Sequence, residues 1–281
     1  MQAARTFNIH HAADLQGPMQ SPSRPVLYTH TLCPYAQRVF LTLLYKAVPF
    51  ELVQVDLSDK PSWYRAVNPR GLVPAVVHQG EACAESLDLC RWIDGAFNTD
   101  APLTPAAPAA RKQMDTLLSS TSIIVSAGLD IVAGSTAYQW GIGRQPSSAQ
   151  VQRFEQQCSQ LRSALQQHGG PYLCGHSRRC SLKLCVNTVG LLQADVALLP
   201  FFERFRLALQ LFQDYDLAGV QGGAVTQWMD HLHKQPWCQT AAPDEEKLAE
   251  AFRQHKSLDF FDYVTYDAFK VHPHLLGDVS S

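Results

Sequence analysis

The chain of 281 residues has no uninterrupted apolar run near the ~20 residues that a membrane-spanning helix needs, and its longest, at residues 196–202, stops far short. It has no excess of charge: 23 basic against 25 acidic residues leave a formal net charge of −2, which gives no electrostatic reason to expect nucleic acid or an anionic membrane as a partner. Residues 1–25 lack the apolar core of a secretory signal. Nor is there a disulfide framework. Eight cysteines (33, 83, 90, 158, 174, 180, 185 and 238) are scattered along a chain too long to need one, so reduced thiols in a cytoplasmic setting are expected. The histidines show no metal-ligand spacing. Cys174, His176, Cys180 and Cys185 lie close together but lack the paired C-x-x-C pattern of a zinc site, so no metal is expected.

The content that is there, 46% hydrophobic, is that of a globular protein with a core. Residues 1–25 hold two arginines, one acid and Pro18, Pro22 and Pro25, which reads as a flexible N-terminal arm and is compatible with a transit peptide to a plastid or other organelle. Val26-Leu27-Tyr28-Thr29 is a short β-prone run read as a buried strand. A helix follows at 34–47, with Pro34 at its first position, where the missing N–H costs nothing. Residues 50–56 alternate as a second strand, and a short helix at 61–67 ends in the turn Asn68-Pro69-Arg70-Gly71. A hairpin is read at 75–84 around Gln79-Gly80, then a helix opened by Glu85-Ser86 with Leu87, Leu89, Trp92, Ile93 and Phe97 on its apolar side. This makes an α/β unit over 26–98 with a Pro/Ala linker at 99–110. Residues 111–281 carry almost no strand signal; helices are expected at 111–138, 147–168, 194–211, 225–234 and 245–255.

Cys33 is the sharpest chemical signal. It sits at the N-cap of the first helix, where unpaired N–H groups and the helix dipole stabilise negative charge. Such a position can lower a thiol pKa from ~8.5 into the range of about 3.5–7.5. The residue three positions on is Ala36, so Cys33-Pro34-Tyr35-Ala36 cannot close the internal disulfide of a C-x-x-C oxidoreductase. The resolving thiol must come from outside, and glutathione is the obvious supplier.

The run Thr31-Leu32-Cys33-Pro34-Tyr35-Ala36-Gln37-Arg38 resembles the active-site segment of cysteine-type glutathione transferases: the omega class and the related lambda and dehydroascorbate-reductase classes. Lys60-Pro61-Ser62-Trp63-Tyr64, Asn68-Pro69-Arg70-Gly71-Leu72-Val73-Pro74 and Glu85-Ser86 agree in order and spacing, and read closest to omega. The resemblance implies an α/β thioredoxin-like N-terminal domain followed by an all-α helical domain. It implies Cys33 as the catalytic residue and Tyr35, Lys60, Val73, Pro74, Glu85 and Ser86 as the glutathione site. Val73-Pro74 would carry a cis bond and pair its backbone with the cysteinyl part of glutathione like an added strand. Glu85 and Ser86 would hold the γ-glutamyl end, and Lys60 the glycyl carboxylate.

The implied activity is thiol transfer and dehydroascorbate reduction, with glutathione as a substrate and not as a tightly bound cofactor. The acceptor would be a small-molecule or protein disulfide, and a homodimer is compatible with the omega class. Two alternatives stand beside it: a transferase that conjugates glutathione to electrophiles, and a non-catalytic binding protein of the same fold, as among the related intracellular chloride-channel proteins. The aromatic stretch at 260–269 is read as helix packing or as a wall of the acceptor pocket. One departure stands out. The family's helix opening Ser-Leu-x-Asp, a capping box, is here split between Ser181-Leu182 and Ala194-Asp195, so residues 183–193 are read as an insertion.

Overall fold

The computed structural model describes residues 7–21, 23–97, 99, 101–105, 108–133, 145–168, 170–173 and 193–255. Among these residues one sheet forms, of five strands, β1 (Phe7–His11), β2 (Val26–Thr29), β3 (Phe50–Gln54), β4 (Ala75–His78) and β5 (Glu81–Ala84), in the order β1-β3-β2-β4-β5. Strands β1 and β2 both run parallel to β3; β4 is antiparallel to β2 and to β5. All four residues of β2 are buried, as its position in mid-sheet demands. The β4–β5 turn puts Gln79 and Gly80 at φ of 53° and 85°, the paired positive values that let a two-residue loop follow the strand twist.

Helix α1 (Pro34–Tyr45) crosses from β2 to β3, α2 (Tyr64–Val67) precedes the hairpin, and α3 (Ser86–Ala96) packs beside α1. The regular elements among the described residues of the second half are all helical: α4 (Pro108–Ala133), α5 (Ser148–His168), α6 (Gln193–Phe212), α7 (Ala224–His233), α8 (Pro236–Ala241) and α9 (Glu245–His255), with a 3-10 segment at Leu217–Gly223. Helix α6 is the hub of this half. Ala194, Val196 to Leu199, Phe201, Phe202 and Phe205 are buried, in contact with α1, α3, α4, α7 and α9. At Gly128 a Cβ would lie 2.2 Å from the Phe205 ring, so glycine alone lets α4 approach α6 this closely. Asp195, fully buried, accepts from the Leu173 backbone N–H (3.0 Å) and from Trp228 Nε1 (2.8 Å), tying two segments to the start of α6.

The expected α/β-then-α architecture is the one observed, with three differences. The first concerns the arm. Residues 7–11 form an edge strand with Phe7 stacked on Phe50 (4.9 Å) and edge-on to Phe40 (5.3 Å), and the segment after it is pinned by Trp63 Nε1 to Leu15 O (3.1 Å) and Met19 N to the Tyr28 hydroxyl (2.8 Å). Phe7-Asn8-Ile9 is too short a run to form a strand alone, and its β character needs β3 beside it. The second concerns the suspected insertion. Gln193 opens α6, is buried, and bonds through its backbone N–H to Leu103 O (3.1 Å) and through Nε2 to Leu87 O (3.1 Å), so it belongs to the core; residues 183–192 lie outside the described residues. So do the aromatic stretch at 260–269 and the set Cys174, His176, Cys180 and Cys185. The third is α4, which by length and composition could cross a membrane. Serines and threonines break up its apolar run in the sequence, and in the fold Ile124, Ala127, Ile131 and Val132 face the core.

If β1 is part of the fold, Phe7→Ala should cost about 2 kcal/mol, below the 3–5 of a fully buried phenylalanine. Chemical denaturation of both proteins measures it; an unchanged midpoint would return residues 7–11 to a loose arm.

Candidate active site

Cys33 is the N-cap of α1, with extended backbone (φ −77°, ψ 117°) and Pro34 behind it at the first helical position. Its Sγ accepts from the Ala36 backbone N–H (3.4 Å) and lies 3.8 Å from the Val73 carbonyl oxygen. The sulfur is therefore aimed at the free N–H groups of the helix start, an interaction that a thiolate accepts better than a thiol. Cys33 is fully buried.

The Val73–Pro74 bond is cis. The turn leading into it is held by Tyr64 Oη and Asn68 Nδ2, which both donate to Leu72 O (2.8 Å each). Gly71, at φ 67°, occupies backbone space that L side chains rarely adopt, and Lys60 Nζ donates to its carbonyl (3.3 Å). Glu85 is exposed at φ 70° and pairs with Arg70 (2.5 Å); Ser86 is buried as the first residue of α3, and its Oγ accepts from Arg38 Nη1 (3.1 Å). Tyr35 lies edge-on to Phe201 (5.0 Å) with the Arg38 guanidinium over its ring (5.2 Å). The segments around 60, 70–74 and 85–86 are thus linked to one another and, through Val73 and Arg38, to the start of α1.

Two buried arginines, to which the sequence reading gave no role, complete the arrangement. Arg38 donates through Nε (2.9 Å) and Nη2 (2.6 Å) to Ala197 O on α6, one turn before Pro200, whose missing N–H loosens that turn. Burial pushes its pKa down to about 10, opposed by Tyr35, Cys90 and Cys33, so the side chain remains a cation at neutral pH and senses the Cys33 sulfur. Arg204 forks onto Leu32 O, the carbonyl just before Cys33, through Nε (3.1 Å) and Nη2 (2.9 Å), while Nη1 donates to Gln37 Oε1 (2.7 Å) and Pro200 O (2.6 Å). Gln37 in turn donates to Glu203 Oε2 (2.8 Å), and His233 lies 2.7 Å from Glu203 Oε1. On the other side of the loop, the Leu32 N–H donates to His30 Nδ1 (3.3 Å), and burial holds His30 below the ordinary histidine range despite the nearby Asp56. A charged pair, Glu203-Arg204, inside the apolar helix Phe201-Phe202 to Leu207-Ala208 was the available signal, because ionised side chains are seldom buried without partners.

The chain is similar in sequence and fold to known proteins. The family model described as "Glutathione S-transferase, N-terminal domain" matches residues 27–102. The chain is 28% identical to glutathione S-transferase L3 of Arabidopsis thaliana over 232 residues, covering 81% of this chain and 86% of that one. It is 31% identical to protein IN2-1 of Zea mays over 211 residues, covering 74% and 76%. Glutathione transferase omega 3C of Trametes versicolor superposes with a TM-score of 0.66 at 24% identity, over 84% of this chain and 91% of that one. Members of this family take glutathione as a substrate and need no tightly bound cofactor. With a cysteine at the helix start, a glutathione transferase half and the helical half that follows it, the chain belongs to the glutathione transferase family, among its omega- and lambda-like cysteine members.

Proposed function

We propose that the protein is a glutathione-dependent thiol transferase and dehydroascorbate reductase in which Cys33 is the nucleophile. The observation that carries this reading is the Cys33 sulfur on the α1 N-terminus, bonded to the Ala36 N–H, with an alanine where an internal resolving cysteine would stand. The Cys33 thiolate attacks the glutathionyl sulfur of a mixed disulfide; the Cys33–glutathione disulfide forms and the other half leaves as a thiolate that takes a proton. The thiolate of a second glutathione then attacks the glutathionyl sulfur, releasing glutathione disulfide and regenerating Cys33. With dehydroascorbate as acceptor, two glutathione molecules supply the two electrons and two protons.

Binding of glutathione is assigned to the linked segments around Cys33. The Val73 backbone would pair with the cysteinyl unit, the first N–H groups of α3 at Ser86 would meet the γ-glutamyl carboxylate, Glu85 its ammonium group, and Lys60 the glycyl carboxylate. Tyr35 would flank the bound thiol. Arg38 supports this by fixing the Ser86 hydroxyl, and Arg204 by holding the peptide that leads into Cys33. Conjugation of electrophiles would be weak, since a cysteine captures glutathione as a disulfide where a hydroxyl donor would activate it. Burial raises the thiol pKa values of Cys90 (to about 11) and Cys158 (to about 12), which supports unreactive structural thiols at these two positions and leaves the exchange to Cys33.

Cys33→Ser should keep the fold and lose thiol transfer and dehydroascorbate reduction together; a mutant that keeps a tenth of the wild-type disulfide reductase rate would assign the chemistry to another cysteine. Lys60→Ala should raise the glutathione KM roughly 5- to 30-fold with kcat little changed, the equivalent of about 1–2 kcal/mol of uniform binding. An unchanged KM in a glutathione titration would make Lys60 a bystander. Arg204→Lys keeps the charge but cannot fork onto Leu32 while reaching Gln37. Its kcat should fall about tenfold, near 1.4 kcal/mol in the barrier, with KM for glutathione held. Equal kcat in the two proteins would leave Arg204 a purely structural cation.

A further inference from the structure

The helical half gathers three metal-ligating groups that are far apart in sequence: Glu203 on α6, His233 at the end of α7 and Cys238 on α8. Their donor atoms lie within 4.8 Å of one another, with Glu203 and Cys238 buried and His233 half-buried. We propose that the Glu203 carboxylate, the His233 imidazole and the Cys238 thiolate form a binding site for a borderline-soft divalent cation, zinc above all. The site adjoins the Gln37–Arg204 network behind Cys33, and the proposal does not depend on the Cys33 chemistry.

The donor set is the first argument. Carboxylate oxygen, imidazole nitrogen and thiolate sulfur are the three ligand types zinc accepts, and three protein ligands with an open fourth position is the pattern of its non-structural sites. Glu203 and His233 also line a cavity of about 220 Å³, shared with Gln239 and Glu245, so a water or small ligand can take the fourth position. The second argument is the asymmetry of the carboxylate. Glu203 Oε2 accepts from Gln37 Nε2 (2.8 Å) and faces Arg204 Nη1 (3.7 Å), while Oε1 is turned to His233 Nε2 (2.7 Å). One oxygen is fixed by outer partners and the other is presented, the arrangement that orients a ligating carboxylate.

The spacing is the third. Tetrahedral bonds of about 2.0–2.3 Å set donor atoms about 3.3–3.6 Å apart. The Glu203–His233 contact must open by under about 1 Å, and since all donor atoms lie within 4.8 Å of one another no pair must close by more than about 1.5 Å, a range that side-chain torsions can cover. Binding replaces the Cys238 thiol proton: Cys238–SH and M²⁺ give Cys238–S⁻–M²⁺ and H⁺, with no change in oxidation state.

The test uses the full-length Cys33→Ser protein, which removes the other candidate thiolate. Cobalt(II) is titrated while the near-ultraviolet thiolate-to-cobalt band is read, and zinc is then titrated against a chromophoric chelator. The expected result is one equivalent of cobalt with a charge-transfer band, displaced by zinc, with one proton released per ion in weak buffer. Cys238→Ala should abolish the band, His233→Ala should weaken binding at least tenfold, and Cys83→Ser, which changes an exposed thiol, should change nothing. No charge-transfer band, or one that survives Cys238→Ala, would overturn the site and leave Glu203–His233 a plain hydrogen-bonded pair. Should Cys238→Ala fail to fold, the half-exposed His233→Ala decides, and undiminished binding in it would overturn the site equally.

Discussion

The contact on which the rest of the molecule depends is the fork of Arg204 onto the Leu32 carbonyl. A guanidinium taken out of water costs several kcal/mol unless its donors are satisfied, and here each partner belongs to the architecture of the site. Leu32 O precedes the catalytic candidate, Gln37 lies on the first turns of α1, and Pro200 O belongs to α6 itself. Arg38 makes the reciprocal connection, from α1 across to Ala197 O on α6 and to Ser86 on α3. The two halves therefore meet across a seam of apolar rings, Tyr35 and Phe201 among them, crossed by two cations of fixed geometry.

This seam explains why a helix start in the first half needs the second half. The N-cap position of Cys33 is local, set by Pro34 and by the strand that delivers the chain to it. The exact placement of the peptide before it is not local; it is held by His30 from one side and by Arg204 from the other. Val73, after the Tyr64- and Asn68-braced turn, closes over the sulfur from the third.

Much of this was legible in the residues because its signals are short-range. Strand runs, the Pro34 helix start, the Gln79-Gly80 turn and the apolar face of α3 depend on neighbours within a few positions, and each was placed to within a few residues. What was not legible depends on partners far away in sequence. Phe7 becomes a strand residue only against Phe50, 43 positions on, and Arg204 has meaning only beside Leu32, 172 positions back. Gln193 was read as part of an insertion because its bonds to Leu87 and Leu103 leave no mark in the sequence around it. The cluster of Glu203, His233 and Cys238 has no local signature for the same reason, since its members lie on three different helices and meet only in the fold.

The central claim is that the sulfur at the start of α1 is the one that exchanges with glutathione. Brief exposure of the reduced protein to glutathione disulfide, followed by peptide-resolved mass spectrometry, tests it most directly. The account predicts a single glutathionyl adduct on Cys33, removed again by added glutathione, although Cys33 is buried and Cys83 is exposed. An adduct that forms first on Cys83, or none on Cys33 while the fold is intact, would contradict it.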